Sequence, residues 1–282
     1  MQKCNVCHRG CELERGQTGA CKARANTDGE IRPINYGHIT SLALDPIEKK
    51  PLNMFYPGSY IVSAGSFGCN LRCPFCQNHE ISYGFGSEYV ERRSVISPVE
   101  LSDIAEEYRH KGNIGVAFTY NEPLVGYEYV IDVSKEIHKR GMKTVLVSNG
   151  NVTGEVADLV IPHIDAMNID LKGFRDDYYK ETLGGDRSLV MDFIERAVER
   201  SHVELTTLIV PGYNDSEPEI RRLAAWVAGL RGGKGKTEVA LHLSRFFPRF
   251  KMSDSKPTDV NLIYRLKSVA EEYLDHVFTG NC

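Results

Sequence analysis

Three cysteines, Cys69, Cys73 and Cys76, fall inside the short stretch GCNLRCPFCQNHEIS. A structural metal knot normally closes a tetrahedron with four ligands, and thiolates at such close spacing suit zinc or an iron–sulfur cluster. A cubic four-iron cluster offers four metal corners, so the pattern C-x-x-x-C-x-x-C fills three and leaves one iron to bind and activate a ligand. Phe75, just before the third cysteine, is placed to shield such a cluster and help set its potential. The competing reading is a zinc site that borrows a distant fourth ligand, for example His79.

A second set, Cys4, Cys7, Cys11 and Cys21, has the spacing C-x2-C-x3-C-x9-C. Four thiolates in a segment with almost no apolar periodicity suit a closed zinc site or an auxiliary four-iron cluster, and the metal would supply folding energy the segment lacks. Spacing alone leaves the two open. Cys282 stands outside both sets. Close C-x-x-C spacings in a chain that opens MQKCNVCHRG, without an apolar leader, favour metal over disulfides and a cytoplasmic location.

These residues need a frame to hold them. Residues 1–30 read as a small cysteine-rich metal-binding segment, 31–59, with Pro46, Pro51 and Pro57, as an irregular connector, and 60–282 as one α/β domain. Six apolar runs, YIVSAGS, IGVAFTY, KTVLVSNG, AMNIDLK, VELTTLIV and EVALHLS, read as buried strands. Helical stripes lie between or after them, as in Leu101, Ile104, Ala105 and Tyr108, in Ile220, Leu223, Ala224 and Val227, and in Leu262, Ile263, Leu266, Val269 and Ala270. Ser97-Pro98, Asp215-Ser216 and Lys256-Pro257-Thr258 read as their starts. Alternation of this kind predicts a parallel sheet covered on both faces. With six units it predicts a partial (β/α)6 TIM-like barrel, incompletely closed, open to a bulky partner at one side.

Bulk composition is that of a globular protein, 41% hydrophobic and 26% charged over 282 residues, with a net charge of -4. No basic face for nucleic acid and no run long enough for a membrane span follow from it, so a small-molecule or protein substrate is expected.

In such a barrel chemistry gathers on the loops at the carboxyl ends of the strands. The unusual residues of this chain fall there: the Cys69 triplet, TYNEP with Glu122, SNG with Ser148 and Asn149, NIDLKG with Asp170 and Lys172, TLIVPGYND, and LHLSRFFP with His242. Asp170 and Lys172, two apart on a strand, face the same way; a structural ion pair is the alternative to a ligand-binding role. Glu122 ahead of Pro123 also has an ordinary helix-start reading.

CNLRCPFC resembles the signature of the radical S-adenosylmethionine (SAM) superfamily. GCNLRCPFCQN, TYNEP, IDLKG, TLIVPGYND and RFFP together resemble its branch around pyruvate formate-lyase activating enzyme, and in particular the AmmeMemoRadiSam-system proteins. The resemblance implies that Cys69, Cys73 and Cys76 hold a [4Fe-4S] cluster whose open iron chelates SAM. A flavodoxin- or ferredoxin-type reductant would supply an electron, and cleavage of SAM would yield a 5′-deoxyadenosyl radical that takes hydrogen from a substrate. Glu122 stands where the family's G-G-E motif meets the methionine amino group, and Asp170 and Lys172 match the D-x-K motif of glycyl-radical-enzyme activases, with Lys172 toward the SAM carboxylate. Ser148, Asn149 and His242 become ribose or adenine contacts. Val147 and Ser148 stand where activases carry an Asp-Thr pair. Relatives are expected to continue past Cys282 with more cysteines.

Overall fold

The computed structural model describes residues 1–84, 95–230 and 239–282. Four short strands, β1 (Gln2–Lys3), β2 (Glu12–Leu13), β3 (Arg24–Thr27) and β4 (Glu30–Pro33), form two small antiparallel pairs. The next eight are β5 (Ser41–Pro46), β6 (Tyr60–Gly65), β7 (Asn113–Phe118), β8 (Lys143–Ser148), β9 (Ala166–Asp170), β10 (His202–Ile209), β11 (Ala240–Arg245) and β12 (Val277–Gly280). They form one sheet in the order β12-β11-β10-β9-β8-β7-β6-β5. Strands β6 to β12 run parallel, and each successive strand is laid beside the one before it, as crossovers through helices require.

The six expected strands are therefore β6 to β11, and the sheet extends beyond them at both edges. β12 adds a parallel strand from the chain end. β5 adds an antiparallel strand from residues 31–59, which are not irregular throughout: Ser41–Pro46 pairs along its whole length with Tyr60–Gly65. The hairpin of β3 and β4 likewise crosses residue 30. Glu238, at the head of the sixth expected strand, lies outside the described residues.

Helices Pro98–Glu107, Tyr127–Lys139, Gly154–Val160, Arg187–Val198, Glu217–Ala228 and Val260–Glu271 cover the convex face. Ser97 starts the first with a capping box: its hydroxyl accepts from Glu100 N at 3.2 Å and the Glu100 carboxylate accepts from Ser97 N at 2.7 Å, an arrangement worth about 1 kcal/mol. The last helix starts later than Lys256-Pro257-Thr258 suggests. Asp259 caps it, while Thr258 is buried and donates its hydroxyl to the Ile209 carbonyl at 2.6 Å.

Alternation along the strands separates two apolar layers. Val62, Val116, Leu146, Met167 and Ile169 face the helices. Ile61, Ala117, Val145 and Ala166 face the concave side, where Ile47 and Leu52 from the connector pack on them. Each fully buried aliphatic side chain contributes about 1.5–3 kcal/mol. The plug fills the floor of the half-barrel and leaves the carboxyl ends of the strands to form a mouth.

Candidate active site at the sheet mouth

The mouth holds a cavity of about 530 Å³, lined by Cys69, Cys73, Cys76, Phe75, Glu122, Ser148, Asn149, Asp170 and Lys172, among others. This size suits a cofactor-sized ligand. The ends of four successive strands, β6 to β9, thus deliver the residues expected at the mouth to one space, with the exception of His242.

The cysteine loop follows β6 directly. Gly68, at φ +92°, makes the turn, and a Cβ there would sit 2.6 Å from both Ala23 Cβ and the Cys21 carbonyl oxygen. Only glycine meets both demands. Burial pushes the Cys73 thiol up to about 11, with Lys172 pulling the other way. Burial, with Glu122 adding to it, raises Cys69 well above its ordinary value. The bare thiols are thus protonated at neutral pH, and a metal must displace those protons to bind. Phe75 is 4% exposed and meets Phe246 edge-on at 6.4 Å, so an aromatic wall stands beside the cysteines. His79 is not a fourth ligand: its ring stacks on Phe250 at 4.5 Å, and Nδ1 lies 3.3 Å from the Cys76 carbonyl oxygen.

Glu122 is 2% exposed. One carboxylate oxygen accepts from the Ser148 hydroxyl at 2.7 Å and Leu124 N at 3.0 Å; the other accepts from Asn149 N at 2.8 Å. Burial raises its carboxyl to about 7 even though these three donors favour the charge. Glu122 caps the turn at Pro123, as its helix-start reading expects, and also lines the cavity.

Lys172 Nζ lies 2.9 Å from Asp170 Oδ2, with both side chains on the concave face. Burial acts against the lysine charge, but Asp170 outweighs it, and the ammonium is held well above its ordinary value. The loop after β9 is pinned by Tyr179, whose hydroxyl accepts from Lys172 N at 3.0 Å, and by Asn214, which donates to the Lys172 carbonyl at 2.6 Å.

Ser148 and Asn149 have partners within the protein. Besides the bonds to Glu122, Asn149 Nδ2 donates to Asn70 Oδ1 at 2.9 Å and reaches the Cys69 sulfur at 3.7 Å. His242 is a correction: it lies outside the cavity lining, 3% exposed, bonded through Nε2 to Glu204 at 2.7 Å and stacked on Phe278 at 5.1 Å. Its ring serves the buried carboxylate of Glu204, on the neighbouring strand β10.

Sequence reasoning missed Asp45, Lys50 and Tyr120. Lys50 Nζ meets Asp45 at 2.8 Å, and the Tyr120 hydroxyl donates to the same carboxylate at 2.9 Å, on the cavity wall. Tyr120 holds φ +73°, an uncommon conformation for a residue with a side chain and one that clusters at working sites. The signal was faint, because Asp45 and Lys50 lie in the proline-rich connector.

The donor set fits a [4Fe-4S] cluster with one open corner. Three cysteines line the cavity, no fourth cysteine and no histidine does so among the described residues, and a buried carboxylate and an ammonium face the same space. Comparison with known proteins agrees. The chain is 37% identical over 281 residues to an uncharacterized protein of Methanocaldococcus jannaschii, covering 99% of this chain and 81% of that protein. It is 27% identical over 204 residues to the pyruvate formate-lyase-activating enzyme of Clostridium pasteurianum, covering 72% of this chain and 80% of that enzyme. Its fold matches the crystal structure of a domain of pyruvate-formate lyase-activating enzyme from Bacteroides vulgatus with a TM-score of 0.50 at 19% identity, over 59% of this chain and 98% of that one. The family model for the radical SAM superfamily matches residues 65–224, from the last residue of β6 through most of the helix after β10, and the chain belongs to that superfamily.

Proposed function

We propose that the chain is an activating-type radical SAM enzyme that abstracts a hydrogen atom from a glycine-bearing loop of a partner protein presented at the open mouth. When bound, the cluster and SAM supply a one-electron reductive cleavage that yields a 5′-deoxyadenosyl radical. The residues of the chain bind, aim and shield. Cys69, Cys73 and Cys76 hold the cluster. Glu122 receives the SAM ammonium, exchanging a poorly solvated carboxyl for a charge-assisted hydrogen bond. Lys172, kept charged by Asp170, faces the SAM carboxylate. Phe75 and the walls of the cavity limit water at the reacting atoms.

The observation that carries this reading is the gathering of Glu122 and the Asp170–Lys172 pair around the three cysteines in one cavity. The likeness to an activating enzyme over 72% of the chain favours a glycine of a protein as substrate. A flavodoxin- or ferredoxin-type protein is the reductant in this reading, and the four amino-terminal cysteines hold a metal of their own.

Anaerobic reconstitution with SAM and a strong reductant is expected to release 5′-deoxyadenosine, and Cys73→Ala to abolish it. A fully loaded cluster that never cleaves SAM sinks the enzymatic reading. With a candidate partner present, a glycyl-radical doublet in electron paramagnetic resonance supports activation. Deuterium carried into 5′-deoxyadenosine from a labelled small molecule, without that doublet, replaces the glycine with another substrate.

A further inference from the structure

One end of the mouth cavity takes no part in holding the cluster or SAM. Strand β5 runs antiparallel to β6, so Asp45 pairs with Ile61 near the amino end of β6, well below Gly65, where the cysteine loop begins. The turn that follows β5 adds Lys49 and Lys50. All three line the same cavity as Cys69, Cys73 and Cys76. The cavity therefore reaches from the cysteines down the β5 edge of the sheet, toward the plug of Ile47 and Leu52.

Tyr120 ties this deep end to the mouth. At φ +73° its backbone is one that glycine adopts freely and a tyrosine holds only under strain. Its surroundings keep it there. Asn78, from the cysteine segment, donates its side-chain amide to the Tyr120 carbonyl at 2.7 Å. The ring packs on Gly65, where an added Cβ would fall 2.7 Å from Tyr120 Cδ2. The hydroxyl reaches down to Asp45, and Lys50 Nζ lies 5.5 Å from the ring centre. A strained residue so fixed is retained for its side chain, and this one builds the wall between the cysteines and Asp45.

Charge says what the wall can receive. Burial works against the Asp45 charge, yet Lys50 and Tyr120 outweigh it, and the carboxyl is lowered to about 2. That one carboxylate faces two ammonium groups, Lys50 at 2.8 Å and Lys49 at 3.6 Å. The end thus carries one positive charge in surplus. A structural ion pair needs only Lys50, which is 3% exposed. Lys49 stands beyond hydrogen-bond distance of Asp45 with its side chain 68% exposed, so it can turn to a ligand. Elsewhere on the lining Asp170 and Lys172 cancel, and Glu122 is a carboxylate. Among the described residues of the cavity, an anionic group finds uncancelled positive charge at this end alone, and one surplus charge matches a carboxylate.

We propose that Lys49 and Lys50, positioned by Asp45 and Tyr120, bind a carboxylate of the substrate and so present its neighbouring C–H to the cysteine end of the cavity. The proposal rests on the mouth holding SAM, as in the function proposed above. The carboxylate belongs either to an acidic side chain beside the glycine of a partner's loop or to a small acid.

The test uses the full chain loaded anaerobically with iron, sulfide and SAM. Isothermal titration compares two pairs of probes: acetyl-glycyl-aspartyl amide with its asparaginyl counterpart, and N-acetylglycine with N-acetylglycinamide. In at least one pair the acid is expected to bind about 10-fold or more tightly than its amide, as one hydrogen bond to a charged group provides. Preference in the peptide pair supports the loop of a partner, and preference in the small pair alone makes the substrate a small acid. Lys49→Glu, a change on an exposed side chain, is expected to erase the preference. Tyr120→Gly, which relieves the strained backbone and removes the wall, is expected to lower it. Iron and SAM content are measured for each variant, so that affinities are compared at equal loading. No preference in either pair, or a preference that survives both variants, overturns the proposal. If that happens in a chain that still releases 5′-deoxyadenosine, the catalytic reading stands. An acid preference in a loaded chain that neither binds nor cleaves SAM does the reverse: the carboxylate site stands and the catalytic reading falls.

Discussion

The Ser148 hydroxyl donates to the Glu122 carboxylate at 2.7 Å, across the gap between the end of β8 and the loop that follows β7. With Asn149 N and Leu124 N on the same carboxylate, the group is oriented before any ligand arrives, which lowers the ordering cost of binding. Glu122→Gln keeps the shape and removes the charge. It is expected to weaken SAM binding roughly 10- to 100-fold, the value of a hydrogen bond to a charged group, without lowering iron content. Ser148→Ala, which leaves two of the three donors, is expected to cost less. Isothermal titration with SAM on iron-loaded protein measures both, and equal affinities for Glu122→Gln and the parent would remove Glu122 from the SAM site.

Asn149 works from the other side of the same loop. Its Nδ2 lies 3.7 Å from the Cys69 sulfur and 2.9 Å from Asn70 Oδ1. Donors to cluster sulfurs stabilise the more negative, reduced state. Asn149→Ala is expected to make the potential of the three-cysteine cluster more negative while iron content stays the same. A redox titration followed by electron paramagnetic resonance reads the shift, and an unchanged potential would reduce Asn149 to a loop anchor.

The mouth was legible in the sequence because strand parity and the βα alternation are local properties. Asp170 and Lys172 share a face for no other reason than their spacing, and each motif followed an apolar run. His242 misled because parity says which face a side chain takes but not what it meets there; Glu204, on the neighbouring strand, claims its ring. Strand β5 was hidden by the prolines around it. It is an edge strand, where prolines are tolerated, and Pro46 sits at its end. The link between the two cysteine sets was invisible, since Cys21 and Cys69 meet through backbone atoms that carry no sequence signal.

Gly68 tests that link. Alanine there must adopt φ +92° and place its Cβ against Ala23 and the Cys21 carbonyl. Gly68→Ala is expected to cost at least the roughly 1–3 kcal/mol of backbone strain and to lower iron loading. Gly212→Ala is the control, at φ +79° with nothing within 4 Å of the added carbon. It is expected to lose stability by strain alone and keep its iron. Equal iron in both variants would mean that the contact between Gly68 and the amino-terminal segment does not govern cluster assembly.

Glu204 gives a prediction in pH. It is buried in the concave face, where its carboxylate accepts from Asn53 N at 2.9 Å and Met54 N at 2.8 Å, and lies 2.9 Å from His202 Nε2 and 2.7 Å from His242 Nε2. Burial alone would raise its carboxyl; the two histidines and two amides outweigh that and lower it from 4.5 to about 2. Between those values the unfolded chain binds a proton that the native state does not, so native stability rises with pH across that window. The contribution, on the order of 3 kcal/mol, is fully present above about pH 4.5 and is lost as pH falls toward 2. Glu204→Gln is expected to lower stability at neutral pH by roughly 2–3 kcal/mol, because the amide can accept only at one oxygen and turns a donor toward groups that also donate. Urea midpoints of the metal-free protein, measured from pH 6 to pH 3, are expected to fall more steeply for the parent than for the variant. Parallel slopes would assign the acid limb to other carboxylates and leave Glu204 without the role its four partners suggest.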